Sequence, residues 1–525
     1  MTFKRSMGFW GMVFVAVSGM LGSGWLFAPY YSAQLAGPSS LLSWVIGAAF
    51  TLLIALTFAE LTSMMPVSGS QARFMEFSHG TLASLIFNLV MWLGYTAVAP
   101  VETIGILQYL SIYFPHVVTA QNGVIVLSES GYFWAAIILL AMCILNFASI
   151  KWLARYNNVV AWLKIGMPFI LIVVLLALTF HASNLSYGGF FPNGISGTGT
   201  ALSAGGIIFS YLGFATAIVL AGEAKNVQKT IPRVLTLSIL ICMLVYILVQ
   251  LAFIGALSPQ SLSGGWSQLS FNKDASPFIG IIQDLHMGAL DHLVFITAIV
   301  APLGTAVIFI ASTARITYAM SQNGYFPKLF LRLSAKGVPT VAVLLNFIVG
   351  LILFFPSPGW QGMMNFLVAA LVFCYAIGPI SLIALRKQLP LHTRRYKLPL
   401  AEISCIAAFF ITNVILYWAG WKAYAEMGAF LVAALIVFLI CRVCNSNLHT
   451  VKMNVKQSIW VFIYLIGLAV IFYFGQYKVK MSETVALSVL FVFSLVVFYL
   501  AKYTALPRET IENFFTAAEA EMKEL

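Results

Sequence analysis

Charge is what this sequence lacks most. Only 8% of its 525 residues are Asp, Glu, Lys or Arg, against about a quarter in an ordinary soluble domain, too few to coat several globular units. The bilayer must therefore serve as solvent. Histidine is sparse too, seven in all, and the HExxH and GxSxG patterns do not occur, which removes the usual basis for an intramembrane enzyme. The phosphate-cradling GxxxxGKS/T pattern is missing as well, so ATP-driven pumping has no footing. Cys143, Cys242, Cys374, Cys405, Cys441 and Cys444 all fall in or beside apolar segments, where a thiol packs as a small hydrophobe. No disulfide framework is expected. Cys441 and Cys444 form a CxxC near His449, but no second ligand pair accompanies it, so neither a metal site nor any cofactor is expected.

What the sequence has in excess is apolar length. Fourteen runs of about 18 or more residues recur, near 8 to 30, 37 to 65, 82 to 114, 131 to 150, 156 to 181, 203 to 222, 233 to 256, 289 to 320, 338 to 356, 362 to 386, 400 to 420, 424 to 446, 457 to 475 and 484 to 503. Each is long enough to cross a hydrocarbon core of about 30 Å as a helix. They are continuous rather than alternating, which disfavours a strand barrel. The fold class read from this pattern is an all-α integral membrane protein.

The 28 Lys and Arg outnumber the 16 Asp and Glu, yet they form no stripe of the kind that grips nucleic acid. They report topology instead. With the N-terminus cytoplasmic, 23 of them fall on inner segments, Lys273, Lys422, Lys478 and Lys480 on outer loops, and Lys164 alone inside a span. The positive-inside bias thus expects both termini, including a tail at 506–525, on the cytoplasmic face of a bacterial membrane. Lys4 and Arg5 resemble the start of a signal peptide, but the following run is too long and lacks a small-residue cleavage site, so the first span is expected to remain.

Two spans carry backbone-loosening residues at mid-depth. The first holds Ser18, Gly19, Met20, Leu21, Gly22, Ser23 and Gly24, and the sixth holds Gly205 and Gly206, then Phe209, Ser210, Tyr211, Leu212, Gly213 and Phe214. Interruptions at positions one and six are what two inverted five-helix repeats would produce. Unwinding a helix inside the membrane frees amides and carbonyls that lipid cannot satisfy. A zwitterion can, because amides after Gly22 to Gly24 would hold a carboxylate at the positive pole of the following half-helix, and carbonyls of both breaks would take an ammonium. Gly19 to Gly24 and Phe209 to Gly213 are accordingly the candidate substrate contacts.

These residues resemble the amino acid–polyamine–organocation superfamily of secondary transporters. GMLGSGWLFAP looks like its Gly-rich unwound segment, and AELTSMMPVSGS ends the second span. FSYLGF runs into AGEAKNVQKTIP, with Glu223, Asn226, Ile231 and Pro232 matching, and STARITYAMSQNGYFP supplies Arg315, Tyr318, Asn323, Gly324 and Pro327. A PVE motif in the third span and two extra helices are similar to the aspartate–proton symporter branch. The resemblance implies a LeuT-like fold with a ten-helix core over 1–386, as repeats of about 8–181 and 203–386. Helices 11–12 over 387–446 and 13–14 over 447–505 would be peripheral. It also implies proton coupling, since Lys164 matches a lysine that stands where related proteins bind sodium. Ala215 departs from relatives that carry an acid there.

Lys164 lies about eight residues into its span, roughly 12 Å deep, too far for its stem to snorkel without a water crevice or thinned bilayer. Carbonyls of the broken first span near Gly19 are its expected partners. Glu102, also inside the membrane, could carry a proton, face a cationic substrate, or bond a carbonyl as a neutral acid. Glu60, Glu223 and Arg315 read as gate or scaffold ion pairs at the inner face, while His79 and His181, assigned to loops or interfaces, have no special role. The function expected is uptake of an amino acid with protons by alternating access, with an amino acid/amine or polyamine exchanger of the same fold as the alternative. A channel has less support, because no filter-like carbonyl segment is visible. The sequence leaves the substrate and oligomeric state open.

Overall fold

The computed structural model describes residues 7–512 apart from 66–68, 122–123, 149, 272–275, 286–287, 357–358, 393 and 445–452. Lys4, Arg5, Lys273, His449, residues 66–68 of the second motif and 513–525 of the tail therefore lie outside the described residues. The first apolar run forms two helices, α1 (Phe9–Met20) and α2 (Gly24–Ala36), separated at 21–23. Then come α3 (Ser40–Met64), the short α4 (Ser70–His79) and α5 (Thr81–Leu110). An antiparallel hairpin that the all-α reading missed, β1 (Val118–Gln121) with β2 (Val124–Leu127), pairs Val118 with Leu127. It is followed by α6 (Glu129–Leu145) and α7 (Ile150–Leu178).

The sixth run is broken as well. It comprises α8 (Gly194–Ser203), α9 (Ile207–Tyr211), a 3-10 turn at Leu212–Phe214 and α10 (Ala215–Val219). Gly206, at φ 83°, supplies the left-handed residue between α8 and α9, a conformation that side chains disfavour, and the two arms bend by 43°. Next come α11 (Val227–Ala256), α12 (Pro277–Asp284), α13 (Ala289–Gln322), α14 (Thr340–Leu353), α15 (Trp360–Tyr375) and α16 (Ile377–Gln388). The chain ends in α17 (Ala401–Cys444), kinked at Gly420, then α18 (Val455–Phe472) and α19 (Glu483–Thr504).

Among the described residues, nine helices are long and apolar enough to cross a membrane, ten if the bent pair counts as one span; α1, α6 and α14 are apolar but shorter. The eleventh and twelfth runs form the two arms of α17, which part at the non-helical Gly420, and the sixth begins at Gly194 rather than 203. Burial separates centre from rim. The most apolar window of α5 is 94% buried and that of α15 with α16 is 100% buried, whereas that of α17 is only 22%. Large side chains on the rim, such as Trp162, Leu178 and Val443, stand 64%, 68% and 74% exposed, as expected where lipid replaces water. Helix α5 packs on α13 and α15, α3 on α11, and α1 on α7, α11 and α13.

The two breaks meet at the centre. Gly213 lies so close to the backbone of Gly19 and Met20 that any Cβ would overlap main-chain atoms, which cannot swing aside. Gly213→Ala is expected to destabilise the fold by roughly 2 kcal/mol, as overpacking typically does. Gly166→Ala on α7 faces open space and is expected to change stability by less than about 1 kcal/mol, on the favourable side. Thermal unfolding of both purified variants measures the contrast.

Candidate functional site

The first break is bracketed by two buried ionisable side chains. At the C-terminal end of α1, the Ser18 carbonyl accepts from Lys164 Nζ at 2.7 Å and from Thr305 Oγ1 at 2.8 Å, and Lys164 also donates to Thr305 Oγ1 at 2.7 Å. At the N-terminal end of α2, the Ser23 amide donates to Glu102 Oε2 at 2.7 Å. Lys164 on α7 is 0% exposed and Glu102 on α5 is 1% exposed. Each side chain thus sits at the helix pole that favours its charged form. Gly22 is wedged between the Glu102 carboxylate and the Thr305 hydroxyl, so a side chain there would have to push the carboxylate aside. The lysine's carbonyl partner is Ser18, one residue before Gly19. The amide assigned to a substrate carboxylate is held by the protein's own carboxylate.

The sixth-span residues divide. Phe209 presents its ring edge-on to Trp360 with centroids 5.5 Å apart. Trp360 Nε1 donates to Ser23 Oγ at 2.8 Å, and its indole stacks with Phe27 and Tyr31. Ser210 packs on Gly24 and donates to the Gly206 carbonyl at 2.9 Å. Tyr211 departs from the sequence reading: its hydroxyl donates to the Trp44 carbonyl at 3.1 Å, so it braces α9 against α3. The Leu212 carbonyl is taken by the Tyr375 hydroxyl at 2.8 Å. The Tyr246 hydroxyl lies 2.7 Å from the Met20 carbonyl and 2.9 Å from the Ser210 carbonyl, joining the two breaks. Beside Trp360 is a vestibule of about 360 Å³, lined among others by Tyr30, Tyr31, Gln34, Gln108 and Gln361.

Sequence reasoning missed Tyr246, Trp360 and Thr305. With 21 Tyr and 12 Trp in the chain, no single aromatic or hydroxyl stood out. The ion pairs at the other end are those of the sequence reading. Arg315 Nε meets Glu223 Oε1 at 2.9 Å, both buried, and the backbone of Met7 bridges to Glu223 and Lys225 beside it at 3.0 and 2.8 Å. Glu60, fully buried, takes Arg386 at 2.6 Å, Arg394 at 3.3 Å and the Leu398 amide at 2.7 Å. His79 is at the buried C-terminal end of α4, with Nε2 3.0 Å from the Ala501 carbonyl, so its role is to dock α19 rather than line a loop.

Residues 7–441 match the family model described as amino acid permease. The chain belongs to that family, within the amino acid–polyamine–organocation superfamily. The permease is 32% identical over 479 residues to the glutamate/serine transporter AimA of Bacillus subtilis, covering 90% of this chain and 88% of that protein. It is also 32% identical over 515 residues to the aspartate–proton symporter of the same organism, covering 97% and 98%. The branched-chain amino acid permease BcaP is more distant, at 24% over 470 residues, covering 85% and 95%. The permease is thus a multi-pass membrane transporter and not an enzyme. Glu60→Gln removes a buried charge that two arginines share, and is expected to lower stability by roughly 3 kcal/mol, near the low end for a broken buried pair because Arg386 stays 27% exposed. The shift in thermal midpoint in detergent checks it.

Proposed function

We propose that the permease takes up an α-amino acid together with a proton, by alternating access around the two breaks. In this reading the fold is LeuT-like, with fourteen spans, inverted repeats over 8–181 and 203–386, four peripheral helices and both termini cytoplasmic. The observation that carries it is the placing of Glu102 and Lys164 at opposite poles of the broken first helix. In addition to the Ser23 amide, those of Gly24 and Trp25 open α2 without an acceptor among the described residues, so a substrate carboxylate has a natural seat there. To settle on Ser23 it must displace Glu102. Protonating Glu102 makes it a poorer acceptor and removes its repulsion of an incoming anion. Lys164 can release the Ser18 carbonyl only if its own charge is lost or re-partnered, which links proton movement to the geometry of the break. Two relatives are named for glutamate, serine and aspartate, and these are the first substrates to test.

Proteoliposomes with an acidic exterior and neutral lumen test the reading with labelled aspartate, glutamate and serine. Uptake of at least one is expected to rise as outer pH falls, to saturate, and to collapse with a protonophore. Lys164→Ala removes two charge-assisted hydrogen bonds, each contributing about 1.5–3 kcal/mol, and should cut gradient-driven uptake at least roughly tenfold. Glu102→Gln should leave counterflow exchange measurable while removing its dependence on the gradient. Full pH-driven uptake by Lys164→Ala would refute the coupling role.

A further inference from the structure

We propose that the permease binds an anionic phospholipid in a groove between α3, α11 and the segment joining α16 to α17. The groove, about 880 Å³, is lined by Lys229, Arg233 and Leu240 of α11, Leu56 of α3, and Arg395 and Tyr396 of the connecting segment. Lys229, Arg233 and Arg395 are all exposed, and none has a carboxylate partner among the described residues. Three uncompensated cations thus crowd one rim. Glu60 is already saturated by Arg386, Arg394 and the Leu398 amide. It pins the connecting segment on both sides of Arg395, which holds that guanidinium at the groove at little entropic cost.

The apolar part of the groove says what kind of anion fits. On a helix, positions 229, 233, 237, 240 and 244 fall within a stripe about 100° wide. Along α11 that stripe runs from Lys229 and Arg233 through Leu237 to Leu240 and Leu244, the last two 42% and 59% exposed. At about 1.5 Å per residue, Leu240 lies roughly 16 Å beyond Lys229, the distance from a headgroup phosphate into the acyl region of one leaflet. A free phosphate would use the cations and leave the leucines idle. A phospholipid uses both, with guanidinium forks on the phosphate and an acyl chain along the stripe. The proposal depends on α11 spanning the membrane and goes beyond the transport reading, which can fail without it.

Lipid binding can be read directly by native mass spectrometry of the purified permease titrated with phosphatidylglycerol or phosphatidylcholine. Phosphatidylglycerol is expected to bind preferentially, and the triple variant Lys229→Gln, Arg233→Gln, Arg395→Gln to lose about fivefold in affinity per charge removed. The control triple Lys422→Gln, Lys478→Gln, Lys480→Gln should retain wild-type binding. If the first triple does not fold, Arg395→Gln alone, on the connecting segment, should still show the fivefold loss. Unchanged binding by the groove variants, or an equal loss in the control, would overturn the site. Stabilisation by inorganic phosphate equal to that by phosphatidylglycerol would overturn the lipid assignment, whereas Leu240→Gln weakening lipid binding and leaving phosphate unaffected would support it.

Discussion

A helix unwound inside a bilayer must find partners for every amide and carbonyl it exposes, because lipid offers none. The rest of this structure is organised around that demand at 18–24. Lys164 from α7 and Thr305 from α13 take the Ser18 carbonyl, Tyr246 from α11 takes the Met20 carbonyl, and Glu102 from α5 takes the Ser23 amide. Four helices are therefore fixed in place by one short stretch of backbone. The same residues explain why α5 and α13 pack along one another, and glycine is needed at 213, where main-chain atoms approach too closely for a side chain.

The two ends of the molecule are held by different chemistry. At one end the contacts are ionic and backbone-to-backbone: Arg315 with Glu223, Met7 with the strand-like stretch beyond it, and Glu60 with two arginines. Buried ion pairs of this kind contribute modestly to net stability but are costly to break singly, so they favour one arrangement over its neighbours. At the other end is a cluster of aromatic rings, Phe27 and Tyr31 stacked with Trp360 and Phe209 perpendicular to it, with the Trp360 indole hydrogen-bonded to Ser23. Rings can slide without leaving a charge stranded.

Much of this was legible in the sequence, for reasons of contrast. Long apolar runs fixed the helical class, and Lys164 and Glu102 stood out because a charge in a span has few reasons to be there. The glycine clusters marked both breaks. What stayed hidden depended on rotation about a helix axis rather than position along it. Tyr211 lies within the sixth break, yet its ring points to α3, whereas Tyr246, 35 residues later in an unbroken helix, reaches both breaks. The β-hairpin and short α12 were missed because neither carries a long apolar run, whereas the boundary read between the eleventh and twelfth runs coincides with the non-helical Gly420.

Filling the first break with ionisable partners rather than fixed polar ones has a consequence on the proposed reading. Asparagine or serine side chains would satisfy the same backbone atoms permanently. A carboxylate and an ammonium satisfy them more strongly than the neutral acid and amine do, so the cost of the break depends on protons. Because the two charges sit at opposite poles, removing either alone leaves the other buried without its counterpart, which opposes partial release. A zwitterionic substrate carries the same two charges in one molecule and can take over both roles without changing the net charge of the site. For an acidic substrate the extra carboxylate would meet Glu102 directly, and a proton on that residue is the simplest way for the site to accept it.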